Sequence, residues 1–224
     1  MEKESISQYE KPSVTVDIAI YTIQKKELKV LLVKRGLEPF KNQWAIPGGF
    51  VRINESLEDA AKRELEEETG VKNVYLEQLY SFGDPKRDPR GRVITISYMA
   101  LINSESIKLK ATTDVSEVQW FSVKKIPPLA FDHKKILDYS LKRLKWKFEY
   151  TTVAFSLLPK KFAVSEIQKI YEIVFNKKFD KRNFAKKMLF LDILKKEEIK
   201  KHVSHRPPML YSLKKNIGEI VEIL

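Results

Sequence analysis

The stretch GFVRINESLEDAAKRELEEETGV, residues 49–71, determines the fold prediction for the whole chain. Its hydrophobic spacing and its capping residues predict a helix over residues 56–69. Within that helix, Glu64, Glu67 and Glu68 stand at positions i, i+3 and i+4, so their carboxylates project from one face. Three neighbouring carboxylates repel one another, which makes this pattern a poor choice for a helix with a purely structural role.

A divalent cation would remove that repulsion, and carboxylate oxygens are ligands that Mg²⁺ or Mn²⁺ prefers. Arg63 precedes Glu67 by four residues and can orient its carboxylate through a charge-assisted hydrogen bond. The pair Gly48–Gly49 allows close approach of the backbone, so that a main-chain carbonyl can join the metal ligands. The alternative is an acidic, solvated helix face, which we keep for Glu58 and Glu66. The register of the other charged residues and glycines favours a metal site.

The same stretch resembles the signature sequence of the Nudix family. The match includes every fixed position, namely Gly49, Glu55, Arg63, Glu64, Leu65, Glu67, Glu68, Gly70 and Val71. The resemblance implies cleavage of a nucleoside diphosphate derivative, in which metal ions bridge the pyrophosphate and a glutamate activates water. By motif position, the implied catalytic residues are Arg63, Glu64, Glu67 and Glu68, and the implied metal ligands are these three glutamates and the carbonyl of Gly48, with support from Glu55. Which glutamate is the base stays open.

A polar loop with two prolines follows the motif at residues 84–92 and carries three arginines. Guanidinium groups suit phosphate binding, although a surface turn is the alternative interpretation for several of these charges. The longer string SFGDPKRDPRGRVI, residues 81–94, resembles the equivalent stretch of ADP-ribose pyrophosphatases, which puts ADP-ribose first among the candidate ligands. Trp44 and Phe50 flank the glycines and can either stack on a base or belong to the core. The predicted substrate-binding residues are Arg35, Trp44, Gly49, Phe50, Arg87, Arg90 and Arg92.

Predicted strands dominate the first part of the chain. Alternation over residues 14–20 indicates a half-buried strand, and further strands are predicted at 28–33, 74–82, 92–102 and 118–123. After two consecutive prolines, leucines at helical spacing predict a helix over about 132–149 that can bridge two domains and transmit ligand binding between them. We therefore predict an α+β protein, with a Nudix α/β/α sandwich around a mixed sheet over residues 1–150 and a small second domain over residues 151–224.

Residues 151–224 carry 16 Lys/Arg and 8 Asp/Glu, and so contribute +8 of the formal net charge of +12. Their pattern is helix, turn, helix and short hairpin, which is the order of a winged helix-turn-helix domain. Ser165 and Asp180 are the predicted N-caps of the two helices. The exposed side of the second helix is basic and predicts a recognition helix; a packing or dimerisation domain with solvated lysines is the alternative. The predicted DNA-binding residues are Lys181, Arg182, Asn183, Lys186 and Lys187 of that helix, with His205 and Arg206 at the wing tip.

Several short strings resemble Nudix-related transcriptional regulators of the NrtR type. They are FDH at 131–133, AFSLLP at 154–159, DKRNF at 180–184, RP at 206–207 and LY at 210–211. The resemblance implies an N-terminal Nudix domain that senses ADP-ribose or a related metabolite, and a C-terminal winged helix that binds operator DNA as a homodimer. Many such regulators have a degraded Nudix motif and hydrolyse nothing, whereas this sequence keeps every catalytic position.

The lack of cysteine, of an apolar run of about 18 residues and of a signal peptide predicts a cytoplasmic protein without a membrane partner. Three functions are compatible with the sequence. We favour a regulator whose Nudix domain both binds and hydrolyses ADP-ribose. The alternatives are an ADP-ribose pyrophosphatase with a purely structural C-terminal domain, and a ligand-sensing repressor that does not hydrolyse.

Overall fold

The computed structural model describes residues 9–70, 72, 74–103, 115–199, 208–215, 217–218 and 220–224. Its strands are β1 (Ser13–Gln24), β2 (Glu27–Arg35), β3 (Trp44–Ala45), β4 (Gly48–Phe50), β5 (Tyr75–Phe82), β6 (Val93–Leu101), β7 (Val115–Ser122), β8 (Leu194–Ile199) and β9 (Met209–Leu213). Its helices are α1 (Leu57–Thr69), α2 (His133–Tyr150), α3 (Val164–Phe175) and α4 (Lys181–Phe190), with a 3₁₀ helix at Thr152–Leu157. No helix in these described ranges is long and apolar enough to span a lipid bilayer.

A mixed sheet of seven described strands forms the centre of the N-terminal part. The strand order is β3-β2-β1-β6-β5, with β4 paired to β1 and β7 paired to β2. Strands β1 and β6 run parallel, and the other pairs are antiparallel. Helix α1 covers one face of the sheet and α2 covers the other. The predicted α/β/α sandwich with a mixed sheet is confirmed.

Strand β1 is buried on both faces, whereas its alternating sequence predicted a half-buried strand. Val16, Ile18 and Ile20 lie on the face that packs against α1. Ala19 and Tyr21 lie on the opposite face and pack in the cluster that contains α2. All five residues are fully buried, because β1 pairs with β2 and β6 at the middle of the sheet and has a helix on each side.

Helix α1 starts and ends where its capping residues predict. Asp59 N donates a hydrogen bond to Ser56 Oγ at 3.1 Å, and such a cap contributes about 1 kcal/mol. At the other end, Gly70 adopts a left-handed conformation with a φ of 68°, and its N–H donates to Glu66 O at 2.7 Å. The two caps fix the length of the helix and therefore the direction in which its glutamates project.

Helix α2 joins the sheet to the C-terminal part of the chain. Ile136 and Leu144 are fully buried among the residues of the sheet, in agreement with the predicted amphipathic helix. Near the other end, the ring of Phe148 lies 5.3 Å from that of Tyr171, whose hydroxyl donates to Phe148 O at 2.9 Å. One hydrophobic core therefore extends from the sheet through α2 to the C-terminal helices.

The C-terminal elements follow the predicted order of helix, turn, helix and hairpin, with β8 and β9 antiparallel. Asp180 caps α4 as predicted, because its Oδ1 accepts a hydrogen bond from Asn183 N at 2.8 Å. The predicted N-cap of α3 is wrong, since Ser165 lies inside that helix. The N-cap residue is Ala163, whose N–H donates to the Glu166 carboxylate at 2.6 Å. A glutamate at the third helical position thus replaces the missing side-chain cap.

Candidate functional site

A cavity of about 560 Å³ opens beside β4, between α1, the loop after β5 and the first turn of α2. Its wall contains ten of the residues predicted from the sequence for catalysis, metal binding or substrate binding: Arg35, Gly48, Gly49, Phe50, Arg63, Glu64, Glu67, Glu68, Arg87 and Arg90. The fold therefore brings together residues that lie between positions 35 and 90 of the sequence. Among the described residues, the wall includes neither Trp44 nor Arg92.

Arg63 is the centre of the charged network in this cavity. Its Nη1 donates to Glu64 Oε1 at 2.6 Å and lies 3.5 Å from Glu67 Oε2. Its Nε and Nη2 donate to the two carboxylate oxygens of Glu55 at 3.0 and 2.8 Å. These hydrogen bonds, with one from Arg52 N, lower the pKa of Glu55 to about 2. The sequence predicted that Arg63 orients Glu67, but its shortest contacts are with Glu55 and Glu64.

The glutamates differ in their exposure to solvent. Glu64 and Glu68 are buried, whereas the Glu67 side chain is about half exposed. Burial raises the pKa of the Glu64 carboxyl, and the neighbouring Arg63 opposes that effect. Buried carboxylates need a positive partner, and within the described residues Arg63 provides one for Glu64.

The two glycines allow the backbone to approach this charged network. A Cβ atom on Gly49 would lie 2.1 Å from Glu64 Oε1, so a residue larger than glycine would displace the carboxylate. A Cβ atom on Gly48 would lie 2.2 Å from Val16 O. In the part of the chain that the structure describes, no three acidic, cysteine or histidine side chains already converge as metal ligands. The buried carboxylates of Glu64 and Glu68 lie beside the backbone of two glycines, and such oxygen donors nevertheless fit a hard divalent cation.

Arginine and phenylalanine side chains alternate at the opposite wall of the cavity. The guanidinium of Arg90 lies 5.2 Å from the ring centre of Phe50 and 5.5 Å from that of Phe131. The guanidinium of Arg35 lies 4.8 Å from the same Phe131 ring, and its Nε donates to Pro39 O at 2.8 Å. Burial lowers the pKa of Arg35, and the nearby charge of Arg90 adds to this effect. Two cations and two aromatic rings in one wall suit a ligand that carries both phosphate and a base.

Three predicted substrate residues have other partners in the structure. Arg87 is buried and forms ion pairs with Asp17 and Asp132, so its charge is already neutralised. Trp44 packs edge to face on Phe121 at 4.7 Å, which supports its alternative interpretation as a core residue. Arg92 donates from Nη1 to Gly83 O at 2.6 Å and so closes the loop between β5 and β6.

Helix α4 exposes the predicted nucleic-acid-binding side chains. Phe184 and Met188 are buried and attach the helix to the core. The exposed residues include Lys181, Arg182, Asn183, Lys186 and Lys187. The predicted wing-tip residues His205 and Arg206 lie outside the described residues. The described part of this surface is therefore the exposed, basic side of α4, which precedes the β8–β9 hairpin in the chain.

Comparisons with known proteins match both parts of the chain. Residues 11–140 match the NUDIX domain family, and residues 154–213 match the NrtR DNA-binding winged helix domain. The ADPR responsive transcriptional repressor NtrR of Acinetobacter baylyi is 36% identical over 209 residues, which cover 92% of this chain and 83% of that protein. The chain belongs to the NrtR family of Nudix proteins.

Two further comparisons separate the halves of this NrtR-family chain. The ADP-ribose pyrophosphatase of Methanocaldococcus jannaschii is 43% identical over 141 residues, which cover 62% of this chain and 77% of that protein. The crystal structure of Shewanella oneidensis NrtR complexed with a 27mer DNA is 33% identical, with a TM-score of 0.81, and covers 93% of this chain and 99% of that one. The Nudix half is thus similar to an enzyme, while the whole chain is similar to DNA-binding proteins.

Asp17, Phe131 and His133 are among the cavity residues of this NrtR-family protein that were not predicted as site residues. Asp17 interrupts the apolar sequence of β1, and a charged residue in a central strand was the available signal for it. Phe131 has a φ of 52°, which is uncommon for an aromatic residue and which no sequence pattern indicated. His133 appeared only within the FDH string that carried the family resemblance. All three line the cavity.

Proposed function

We propose that the protein is a metabolite-responsive transcriptional regulator that binds ADP-ribose, or a similar nucleoside diphosphate derivative, in the cavity and DNA through α4. We further propose that it hydrolyses this ligand with Mg²⁺ or Mn²⁺. One observation carries the proposal: a complete Nudix motif faces an arginine–phenylalanine wall in one cavity, in a chain whose core also holds a basic winged helix. The repressor from Acinetobacter baylyi, which is similar over 92% of the chain, supports the regulatory part.

In the ligand site, Glu64, Glu67, Glu68 and the Gly48 carbonyl would hold the metal. The metal, when bound, would stabilise charge on the phosphate oxygens and lower the pKa of a bound water. Arg63 would orient Glu64 and Glu55 through the hydrogen bonds described above. Arg35 and Arg90 would bind the diphosphate, and the exposed ring of Phe50 would stack on the base.

In the DNA site, the side chains of Lys181, Arg182, Asn183, Lys186 and Lys187 would contact phosphates and base edges in the major groove. His205 and Arg206 would contact the adjacent minor groove. A homodimer would place two such helices on a two-fold symmetric operator, because two half-sites one helical turn apart require two recognition helices. A protein that regulates bacterial or archaeal DNA in this way would act in the cytoplasm.

The enzymatic part is tested by AMP release from ADP-ribose, measured by chromatography on the full chain with and without Mg²⁺. We expect Glu68→Gln to lower turnover by about 100-fold or more, because it removes a charged oxygen ligand or base. Glu66→Gln is the matched control, since Glu66 lies on the same helix and pairs with Lys72 instead of the cavity residues. Equal turnover in the two variants would show that the site is wrongly assigned.

The regulatory part is tested by gel shift with duplex DNA from the region upstream of the gene, over a range of salt concentrations. We expect binding that weakens with salt and is relieved by ADP-ribose. Hydrolysis without DNA binding would favour the second candidate function, a pyrophosphatase with a structural C-terminal domain, which is consistent with the core shared between the two parts. DNA binding without hydrolysis would favour the non-catalytic repressor.

A further inference from the structure

His133, the first residue of α2, lines the cavity and contacts the glycine loop, the segment Ile46–Gly49 that leads into β4. Its Nδ1 accepts a hydrogen bond from Ile46 N at 3.0 Å. Its Nε2 lies 3.7 Å from Asp17 Oδ1, and the residue is only 5% exposed. Asp17 is the direct partner of Gly48 in the antiparallel pair of β1 and β4. His133 therefore contacts the chain two residues before Gly48 and also the strand across from it.

These contacts define the form of the imidazole. Because Nδ1 accepts from a main-chain N–H, it must carry a lone pair, and the proton of the neutral ring is then on Nε2, towards Asp17. Burial lowers the pKa of His133, which favours the same neutral form. In this neutral form Nδ1 of the ring accepts the hydrogen bond from the Ile46 amide.

An ion pair between Arg87 and Asp132 also holds the first turn of α2, in addition to the contacts of His133. Asp132, the N-cap residue, accepts hydrogen bonds from Arg87 Nη2 at 2.8 Å and from Arg87 Nε at 3.1 Å. Arg87 Nη2 also lies 3.2 Å from Asp17 Oδ2. The position of His133 is consequently fixed relative to β1, because its chain neighbour is tied to that strand through Arg87.

The glycine loop needs such an external contact. Two consecutive glycines have no side chains that could restrict their own backbone, so contacts with neighbouring groups must fix the Gly48 carbonyl. The pairing of β4 with β1 holds the chain from Gly48 onwards, and separate hydrogen bonds hold the two residues before it. Ile18 N donates to Pro47 O at 2.8 Å on one side, and Ile46 N donates to His133 on the other. Of these two hydrogen bonds, the one to His133 is made by a side chain and the other by the backbone.

We propose that His133 is a positioning residue of the metal site, which fixes the Ile46–Gly49 loop so that the Gly48 carbonyl is held in one orientation for metal binding. The inference rests on the metal site proposed above. Removal of a hydrogen bond to a ligand group commonly changes metal affinity by about 10- to 100-fold, and because His133 acts two residues from Gly48 we expect the lower end of that range.

The test compares His133→Leu with His133→Asn. Asparagine places Oδ1 where the imidazole has Nδ1 and keeps an acceptor for Ile46 N, whereas leucine keeps a similar shape without an acceptor. The dissociation constant of Mn²⁺ is measured by electron paramagnetic resonance on the full chain without nucleotide. We expect His133→Leu to weaken Mn²⁺ binding by about 10-fold or more, and His133→Asn to stay within about 3-fold of the wild type.

Ser140→Ala is the control for a general loss of stability. Ser140 is fully buried on the same helix and shares a 2.5 Å hydrogen bond with the Tyr21 hydroxyl, away from the glycine loop. We expect a lower melting temperature for this variant with unchanged Mn²⁺ affinity. Hydrogen exchange of the Ile46 amide gives a direct readout, and it should be faster in His133→Leu but not in Ser140→Ala.

Three results would overturn the inference: wild-type Mn²⁺ affinity in His133→Leu, equal weakening by leucine and asparagine, or no Mn²⁺ binding by the wild type. AMP release by the wild type tests the proposed function separately. If the variants rank as expected but no AMP is released, hydrolysis is contradicted while the role of His133 is supported. If AMP is released but the variants do not differ, only the role of His133 fails.

Discussion

Arg87→Met tests whether this buried guanidinium stabilises the fold or binds the ligand. The Arg87 side chain is 3% exposed and forms ion pairs with Asp17 and Asp132. Methionine fills much of the same volume but leaves both carboxylates buried without their common partner. Removal of one partner from a buried ion pair costs about 3–5 kcal/mol, which corresponds to a loss of about 6–20 °C in Tm for a chain of this size.

The free energy of unfolding is measured by urea denaturation of the full chain, followed by circular dichroism. Lys134→Met is the matched control, because Lys134 pairs with Asp138 on the same helix with both side chains more than half exposed. An exposed pair of this kind contributes about 0.5 kcal/mol or less. Adding Asp132→Asn to Arg87→Met should recover part of the loss, since it removes one of the two carboxylate charges that Arg87 neutralises.

A different result would refute this reasoning. If Arg87 served mainly to bind phosphate, as the sequence predicted, Arg87→Met would weaken ADP-ribose binding while the free energy of unfolding stayed within about 1 kcal/mol of the wild type. The calorimetric affinity for ADP-ribose, measured well below the melting temperature of the variant, distinguishes the two roles.

The remaining predictions concern acid stability, DNA binding and the C-terminal segment. The pKa of Glu55 is about 2 in the folded chain against an ordinary 4.5, so its stabilising effect is complete above pH 4.5 and is lost as the pH falls towards 2. Glu55→Gln should therefore reduce the dependence of stability on pH between pH 4.5 and 2. An acid-unfolding curve identical to that of the wild type, followed by circular dichroism, would contradict the low pKa of Glu55. Arg182→Ala should weaken operator binding in a salt-dependent gel shift by about 1–3 kcal/mol if it reads a base; Lys145→Ala on α2 is the control, and equal losses would remove α4 from the interface. Ile223→Ala should lower the free energy of unfolding in urea by about 2–5 kcal/mol, because Ile223 is fully buried. Its control is Ile220→Ala, at a residue that is 77% exposed, which should cost about 0.5 kcal/mol or less. Similar losses in the two variants would contradict the packing of this segment.

Local signals in the sequence were sufficient for elements that short-range contacts determine. The cap at Ser56, the left-handed Gly70 and the spacing of apolar residues all act within a few positions, and α1 begins and ends where they indicate. The burial of β1 was not accessible in this way. An alternating pattern indicates two faces, but whether the second face meets water or a helix depends on α2, which lies more than 100 residues later.

The candidate site shows the same division. The Nudix glutamates could be predicted from the sequence because three of them share a helix face. The opposite wall is assembled from the end of β2, the loop after β5 and the turn before α2, so no single stretch contains its pattern. Arg87 illustrates the consequence, since an arginine in a polar loop resembles a phosphate ligand until Asp17 and Asp132 are found beside it.

The packing of α4 separates the DNA-binding interpretation from the structural one. A purely structural C-terminal domain accounts for Phe184 and Met188, which attach the helix to the core. It does not account for a basic, exposed surface that the core never uses, and clustered lysines and arginines repel one another in the absence of a polyanion. A bound DNA backbone would remove that repulsion, as a metal would for the glutamates of α1. Helices α1 and α4 thus each carry a concentration of like charge that a ligand of opposite charge would stabilise.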